Sequence, residues 1–288
     1  MMTIQANENK NYICATGTAY GEHKSVGVFA MASSVNELAT RGAKAASAEA
    51  IMNVPSDYTK SDILSMKKML EKKAKELGIE EFFVSAEQGP EAALPIICVT
   101  VAGMADAAAM DAKAGQEIVL TGYVGLEGML RIAAQKEKEL ATRFTPAFIK
   151  QIQSYDTHIF ALQEIDIAKA MGVSVIRQLP RGGVLAGLWD LALETGCGLS
   201  VDLKKIAIRQ ETIEVCEEFR LNPYQLTSCG CMLMLTDHGD ELADALKEQG
   251  LAASVIGRLT DDNDKIIHNG EEVRYIDRPA PDELKKIF

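Results

Sequence analysis

Short apolar, β-prone runs alternate with segments of helical periodicity along this chain, and that alternation narrows the choice of fold more than any single motif does. The clearest helix covers residues 63–77, where apolar residues recur at steps of three and four and lysines occupy the outward positions. Ser61 or Asp62 is predicted to cap its start, and Gly78 ends it. Strands are predicted around this helix at 12–18, 45–54, 79–85 and 94–103.

An earlier apolar run, Val26–Met31, leads into a second predicted helix. Its helical spacing is read over residues 35–39, and Gly42 supplies a C-terminal stop. On this interpretation Asn36 and Glu37 lie near the start of the helix, where backbone N–H groups are free to meet an anion.

The second half of the chain continues the alternation. Residues 117–121 (EIVLT) are predicted as a strand, residues 129–141 as a helix, and residues 268–271 (HNGE) as a hairpin with a type I′ turn. Further strands are predicted at 173–176, 199–203, 232–235 and 255–259, and further helices at 148–152, 159–168, 183–194, 211–220 and 240–249.

The length of 288 residues exceeds a typical domain of roughly 100–200 residues, which favours two domains. Residues 104–115 are small, alanine-rich and without strong periodicity, so the boundary is predicted there. The prediction is an N-terminal domain at 1–108 and a C-terminal domain at 109–288, both of α/β (α+β) class.

Charge and hydropathy exclude several classes of function. Lys and Arg total 30 against 41 Asp and Glu, so a net charge of -11 offers no general footprint for nucleic acid or an anionic membrane surface. No run approaches the roughly 18 apolar residues of a membrane span, and the polar N-terminus lacks the pattern of a signal peptide. A cytoplasmic protein without nucleic-acid or membrane partners is predicted.

Chemistry-bearing side chains form no familiar catalytic motif. The six cysteines are too few for a disulfide scaffold, and Cys14 and Cys98 lie in apolar runs where free cysteine behaves as a small hydrophobe. Cys229-Gly230-Cys231 has a metal or redox interpretation, but no further ligand motif accompanies it. The four histidines share no spacing, and the catalytic residues stay unassigned.

Two glycine-rich turns are candidate anion sites. Gly122, Gly125 and Gly128 follow a predicted strand and open a helix, and the turn at 181–183 (Arg-Gly-Gly) does the same. Such turns present backbone N–H groups to phosphate, and Arg181 suits a bidentate contact to phosphate or carboxylate. The alternative is that Gly122, Gly125, Gly128, Gly182 and Gly183 serve backbone geometry and close packing alone.

Several segments resemble the PurM-like (aminoimidazole ribonucleotide synthetase-related) superfamily. VNELATRGAKA at 35–45 resembles its "vNDLaamGA.P" motif, and 172–219 resembles the motif that opens its C-terminal domain. GQEIVLTGYVGLEG at 115–128 and the segment 220–234 look most like the family of the hydrogenase maturation factor HypE. The resemblance covers most of 12–260. It implies an N-terminal domain that forms a barrel with its twin in a homodimer, a C-terminal α/β domain, and Mg²⁺–ATP bound between the domains.

The same resemblance shows departures from the family pattern. Thr16-Gly17 stands where an acidic metal ligand is usual, Glu37 replaces the aspartate beside the retained Asn36, and residues 84–87 lack the usual glycines. Cys229-Gly230 replaces a Glu-Gly pair. The chain begins after the usual acidic, glycine-containing segment and ends in DELKKIF rather than in the Cys-bearing tail of HypE, so carbamoyl transfer to its own C-terminus is not expected.

Three hypotheses follow from the resemblance. The leading one is a divergent HypE-like protein that keeps the scaffold, has reduced or lost ATP chemistry, and acts as a ligand-binding or maturation component. The second is a working ATP-dependent enzyme in which Glu37 and Glu87 bind Mg²⁺ in place of the missing aspartates. The third is a structural or regulatory homodimer. The predicted ligand is a nucleotide or small anion held by Asn36, Glu37, the turn at 122–128 and Arg181–Gly183.

Overall fold

A computed structural model describes residues 11–105, 112–173, 175–179 and 181–288. The chain divides into two compact units, Met1–Ala108 and Ala109–Phe288. Outside the described residues lie the polar segment 1–10, the middle of the predicted linker (106–111), Ser174 in a predicted strand, and Pro180 just before the second glycine turn.

The first unit is a four-stranded sheet with two helices on one of its faces. The sheet order is β1-β4-β2-β3, and β2–β3 is the parallel pair while β1–β4 and β2–β4 are antiparallel. Its elements are β1 (Asn11–Tyr20), α1 (Val26–Thr40), β2 (Ser47–Pro55), α2 (Lys60–Glu76), β3 (Glu81–Gly89) and β4 (Ile96–Ala105).

Helix α1 begins nine residues before Val35, so the predicted start near Asn36 is wrong. The apolar run Val26–Met31 forms its first turns. This part of the helix is buried on nearly all sides, so it has no polar face and shows no amphipathic pattern in the sequence. Asn36 and Glu37 consequently lie in the third turn, where backbone N–H groups are used within the helix.

Helix α2 has the predicted amphipathic face, with Met66, Leu70 and Ala74 buried. Its cap is Thr59 rather than Ser61 or Asp62. The Thr59 hydroxyl oxygen accepts from the Asp62 N–H at 3.2 Å, and the Asp62 carboxylate accepts from the Thr59 N–H at 3.0 Å. This reciprocal capping box starts the helix at Lys60, two residues earlier than a Ser61 cap would allow.

The second unit is a seven-stranded sheet of order β11-β10-β7-β9-β5-β8-β6, antiparallel except for the β7–β10 pair. Its strands are β5 (Glu117–Thr121), β6 (Val175–Gln178), β7 (Gly198–Asp202), β8 (Met232–Thr236), β9 (Ala253–Thr260), β10 (Lys265–Asn269) and β11 (Glu272–Tyr275). Its helices are α3 (Leu126–Gln135), α4 (Glu137–Leu140), α5 (Pro146–Gln153), α6 (Leu162–Ala170), α7 (Gly183–Thr195), α8 (Gln210–Phe219) and α9 (Gly239–Glu248).

Two predictions for this unit need correction. The helix predicted over 129–141 begins earlier and breaks at Lys136, whose φ of -112° and ψ of 28° are not helical. The predicted hairpin is present, but Asn269 pairs with Glu272, so Gly270 and Glu271 are the central residues. Only Gly270 of these two has positive φ, which is the pattern of a type II′ turn rather than type I′.

The core of the second unit lies between the sheet and α7, where aliphatic side chains of β5, β7, β8 and β9 are fully buried. This packing holds α7 on the sheet, and the N-termini of α3 and α7 both follow glycine turns. Within the described residues, no helix has the length and apolar character needed to cross a membrane.

Candidate functional site

The first glycine turn is filled by the chain's own segment 226–231. A Cβ on Gly128 would collide with the Leu226 side chain, and a Cβ on Gly122 would lie 2.9 Å from the Gly230 carbonyl oxygen. The Gly125 N–H, at the N-cap of α3, donates to Ser228 Oγ at 2.8 Å. These glycines therefore leave room for the backbone and the Leu226 side chain of segment 226–231, and the buried Gly125 N–H is already satisfied.

The second glycine turn is occupied by a carboxylate from the same chain. The Gly182 N–H, at the N-cap of α7, donates to Asp282 Oδ2 at 2.6 Å, and the Leu284 N–H donates to Oδ1 at 2.8 Å. Asp282 thus supplies the negative charge that a helix N-terminus favours. Its burial raises the pKa of the carboxyl, while the two N–H donors act in the opposite direction.

Glu127, at the start of α3, is the centre of a buried polar network. Its Oε1 pairs with Arg131 Nη1 at 3.1 Å, and its Oε2 accepts from the Thr227 hydroxyl at 2.7 Å and from the Cys229 N–H at 3.0 Å. The Glu127 and Arg131 side chains are 7% and 4% exposed. A buried ion pair needs such additional hydrogen bonds to offset its desolvation, so this network ties segment 227–229 to α3.

The Cys-Gly-Cys motif belongs to this packed region. The Cys229 thiol lies 3.3 Å from Gln178 Oε1, and burial raises the pKa of the Cys231 thiol. A thiol held protonated in this way is a poor nucleophile and metal ligand. All six cysteines are free, and Cys14, which lies in an apolar run of the sequence, is exposed on the sheet of the first unit.

The candidate metal ligands of the first unit do not lie together. Glu37 is on α1, which packs on one face of the sheet, and its carboxylate pairs with Arg41 at 2.8 Å. Glu87 is on β3 opposite Asn53, and both are exposed on the other face. Asn36 is fully buried. Across the described part of the chain, no group of three or more His, Cys, Asp or Glu side chains could hold a metal ion.

Gly17, at the position that resembles the family's acidic metal ligand, is closed off by α1. A Cβ on Gly17 would collide with the Ala30 carbonyl oxygen and lie 2.9 Å from the Ser34 nitrogen. Because both obstacles are helix backbone, no carboxylate side chain fits at this position. Position 17 therefore contributes no side-chain oxygen to a metal.

Arg181, the first residue of the second glycine turn, is exposed. Asp282, Glu127 and Thr227 are not among the residues expected from the sequence. Glu127 stands inside the glycine motif and could have been noticed as a first-turn acid. Asp282 lies 100 residues from its partner Gly182, and no local pattern marks that contact.

A sequence model of the family described as "AIR synthase related protein, C-terminal domain" matches residues 113–269, which is more than half of the chain. The two-sheet fold, the glycine turns that open α3 and α7, and this match define a PurM-like protein. The chain belongs to the AIR synthase-related family.

Among curated relatives, carbamoyl dehydratase HypE of Rhodobacter capsulatus is 28% identical over 151 residues, covering 51% of this chain and 42% of the relative. The match therefore spans less than half the length of that relative. A putative hydrogenase expression/formation protein of Methanocaldococcus jannaschii is 22% identical over 273 residues, covering 91% of this chain and 78% of the relative.

Solved structures of the hydrogenase maturation protein HypE have the same fold. The E. coli protein superposes with a TM-score of 0.77 at 17% identity, covering 98% of this chain and 90% of that chain. HypE in complex with ATP gives a TM-score of 0.71 at 14% identity (100% and 89% covered), and a HypE–HypF complex gives 0.72 at 20% identity (94% and 91% covered). The chain is thus HypE-like in fold.

Proposed function

We propose that this protein is a HypE-like component of hydrogenase maturation or a related assembly process, with the family scaffold retained and the ATP chemistry reduced or lost. Its role is to bind a small anionic ligand or a partner protein. The names of the HypE relatives support a role in hydrogenase maturation. A HypE–HypF complex among the similar structures supports the proposal that a protein with this fold binds a partner protein.

The proposal that ATP chemistry is reduced rests on the surroundings of Gly17, where the backbone of α1 leaves no space for a side chain. A family-type Mg²⁺ site needs an acidic oxygen there, and the backbone of α1 occupies the space. Glu37 is neutralised by Arg41, and the N-terminus of α7 is already bound by Asp282. Mg²⁺–ATP would have to displace these contacts to obtain the charge compensation it requires.

Isothermal titration with Mg²⁺–ATP tests this proposal. We expect a dissociation constant weaker than about 100 µM, which corresponds to about -5.5 kcal/mol. Tighter binding together with ATP turnover would contradict the proposal and support the second candidate, an active ATP-dependent enzyme. That candidate is favoured by the fold's likeness to HypE in complex with ATP.

Substitutions show whether any bound anion uses the predicted residues. Arg181→Ala should weaken measurable binding of Mg²⁺–ATP or inorganic phosphate, and Glu37→Ala should weaken measurable binding of Mg²⁺–ATP. Arg143→Ala, which removes an exposed pair with Glu218, should weaken neither. Binding that ignores both substitutions would show that these residues are not the ligand site. Absence of any binding would support a structural or regulatory role.

We further propose a homodimer that covers the open face of the first sheet. Among the described residues nine large hydrophobics are exposed, and four of them share this face: Tyr12, Ile51, Phe83 and Ile96. An apolar patch of this kind indicates a protein–protein contact. The cytoplasmic location stays a prediction from the sequence.

A further inference from the structure

A cavity of about 410 Å³ lies in the second unit, beside the start of α7. Its floor is formed by the first turns of α7 at Leu185 and Ala186, and one wall by the face of the β10–β11 hairpin that carries Ile267 and Arg274. The residues from Ile276 to Ala280 form a second wall. This volume lies within the range of about 300–1,000 Å³ that is usual for small-molecule sites.

The wall formed by residues 276–280 is held in place at both ends. Ile276 is 6% exposed and its N–H donates to the Lys265 carbonyl oxygen at 2.7 Å. Asp282 anchors the other end on the Gly182 N–H. The cavity is therefore bounded by ordered backbone contacts, so it is a formed concavity of the fold.

Hydrogen-bond donors with no partner in the described structure gather on one side of this cavity. The Tyr224 hydroxyl and the Gln225 side-chain amide have no hydrogen bond among the described residues. Asn222 accepts the Tyr224 N–H through Oδ1 at 3.1 Å, which leaves its NH₂ group as a donor. Burial raises the pKa of the Tyr224 hydroxyl, so it stays protonated and can donate.

Two arginines line the cavity, and they differ in whether a carboxylate pairs with them. Arg274 is paired with Glu272 at 2.6 Å, so its charge is already compensated. Arg278 has no ion pair in the part of the chain that the structure describes, and neither has its neighbour Asp277. Arg278 and the neutral donors of the 222–225 turn favour an acceptor group such as carboxylate or phosphate.

We propose that this cavity binds a small molecule with a flat apolar body and one anionic group. The apolar floor takes the body, which stacks on the ring of Tyr224, and Arg278 with the amides of Asn222 and Gln225 binds the anion. This inference differs from the proposal on ATP in its cation, which is Arg278 rather than Arg181, although Gly182 lines the cavity and also belongs to the second glycine turn.

Phenyl phosphate is the probe for this site, with phenol and inorganic phosphate as its two separate halves. By isothermal titration we expect phenyl phosphate to bind with a dissociation constant below about 1 mM, and each half to bind at least tenfold more weakly. In amide NMR spectra the Asn222 and Gln225 side-chain signals should shift. Failure of phenyl phosphate to bind, or equal affinity for inorganic phosphate, would overturn the proposal.

Matched substitutions assign the charge. Arg278→Gln should weaken phenyl phosphate binding at least fivefold, and Arg274→Gln less than twofold, because Glu272 already compensates Arg274. Asp277→Asn should leave binding unchanged or strengthen it. Equal losses from both arginine variants, or weaker binding in Asp277→Asn, would refute the assignment. All three side chains are exposed, so these variants should fold.

Discussion

At the scale of single residues, the glycines of this protein are of two kinds. Some are needed only for a positive φ, and others also lie so close to neighbouring backbone that a Cβ atom would not fit. Gly183 and Gly196 have nearly the same φ, 67° and 66°. A Cβ on Gly183 would lie 2.5 Å from the Tyr224 carbonyl oxygen and 2.7 Å from that of Leu226, whereas nothing lies within 4 Å of one on Gly196.

This pair gives a controlled prediction. Gly196→Ala should lower the free energy of unfolding by about 1 kcal/mol, the strain of a left-handed residue. Gly183→Ala should lower it by about 3 kcal/mol or more, because rigid backbone must also move. Urea denaturation of both variants measures the difference. Equal losses would mean that the contact with segment 224–226 is unimportant.

Glu164 is a buried carboxyl group that makes the stability of the folded protein depend on pH. It is 8% exposed, and burial raises the pKa of its carboxyl. As pH rises through the unfolded pKa of about 4.3, the unfolded chain loses this proton first, so stability falls until the folded pKa is passed.

We therefore expect Glu164→Gln to gain stability relative to the parent protein as pH rises from about 4 towards 7. Urea midpoints across that range measure the trend. A difference between the two proteins that stays constant, or that changes in the opposite direction, would contradict the burial argument.

At the scale of secondary-structure elements, the ends of helices are determined by individual hydrogen bonds. Thr59→Ala removes the hydroxyl that accepts from the Asp62 N–H, and it should lower the free energy of unfolding by about 1 kcal/mol. Ser61→Ala is the matched control, since Ser61 is exposed inside the first turn and does not cap α2. Its effect should be close to zero. Thermal or urea unfolding distinguishes the two, and a larger loss for Ser61→Ala would assign the cap to Ser61.

At the scale of the whole molecule, the open sheet face predicts the oligomeric state. Light scattering should give about twice the chain mass of 31.2 kDa. Phe83→Lys, at a side chain that is 57% exposed on this face, should reduce the mass to that of one chain. Leu64→Lys is the control, since Leu64 is 51% exposed on α2 and outside the proposed interface. A single-chain mass for the parent protein would refute the dimer.

Local sequence was sufficient where a pattern depends on neighbours along the chain. The lysine-faced helix α2, the strand β5, the hairpin at Gly270 and the positions of both glycine turns follow from periodicity and turn chemistry. The family resemblance, carried by several short motifs, gave the two-domain fold, and the match over residues 113–269 confirms its family.

Tertiary structure determined which residues these elements contact. Val26–Met31 is helical because burial around α1 overrides its strand-like composition, and the same helix closes the space at Gly17. Glu37 and Glu87 lie on different faces of one sheet, which spacing along a chain does not specify. The glycine turn at α7 receives Asp282, 100 residues away. The sequence alone determined where donors are presented, and only long-range packing determined which partner satisfies them.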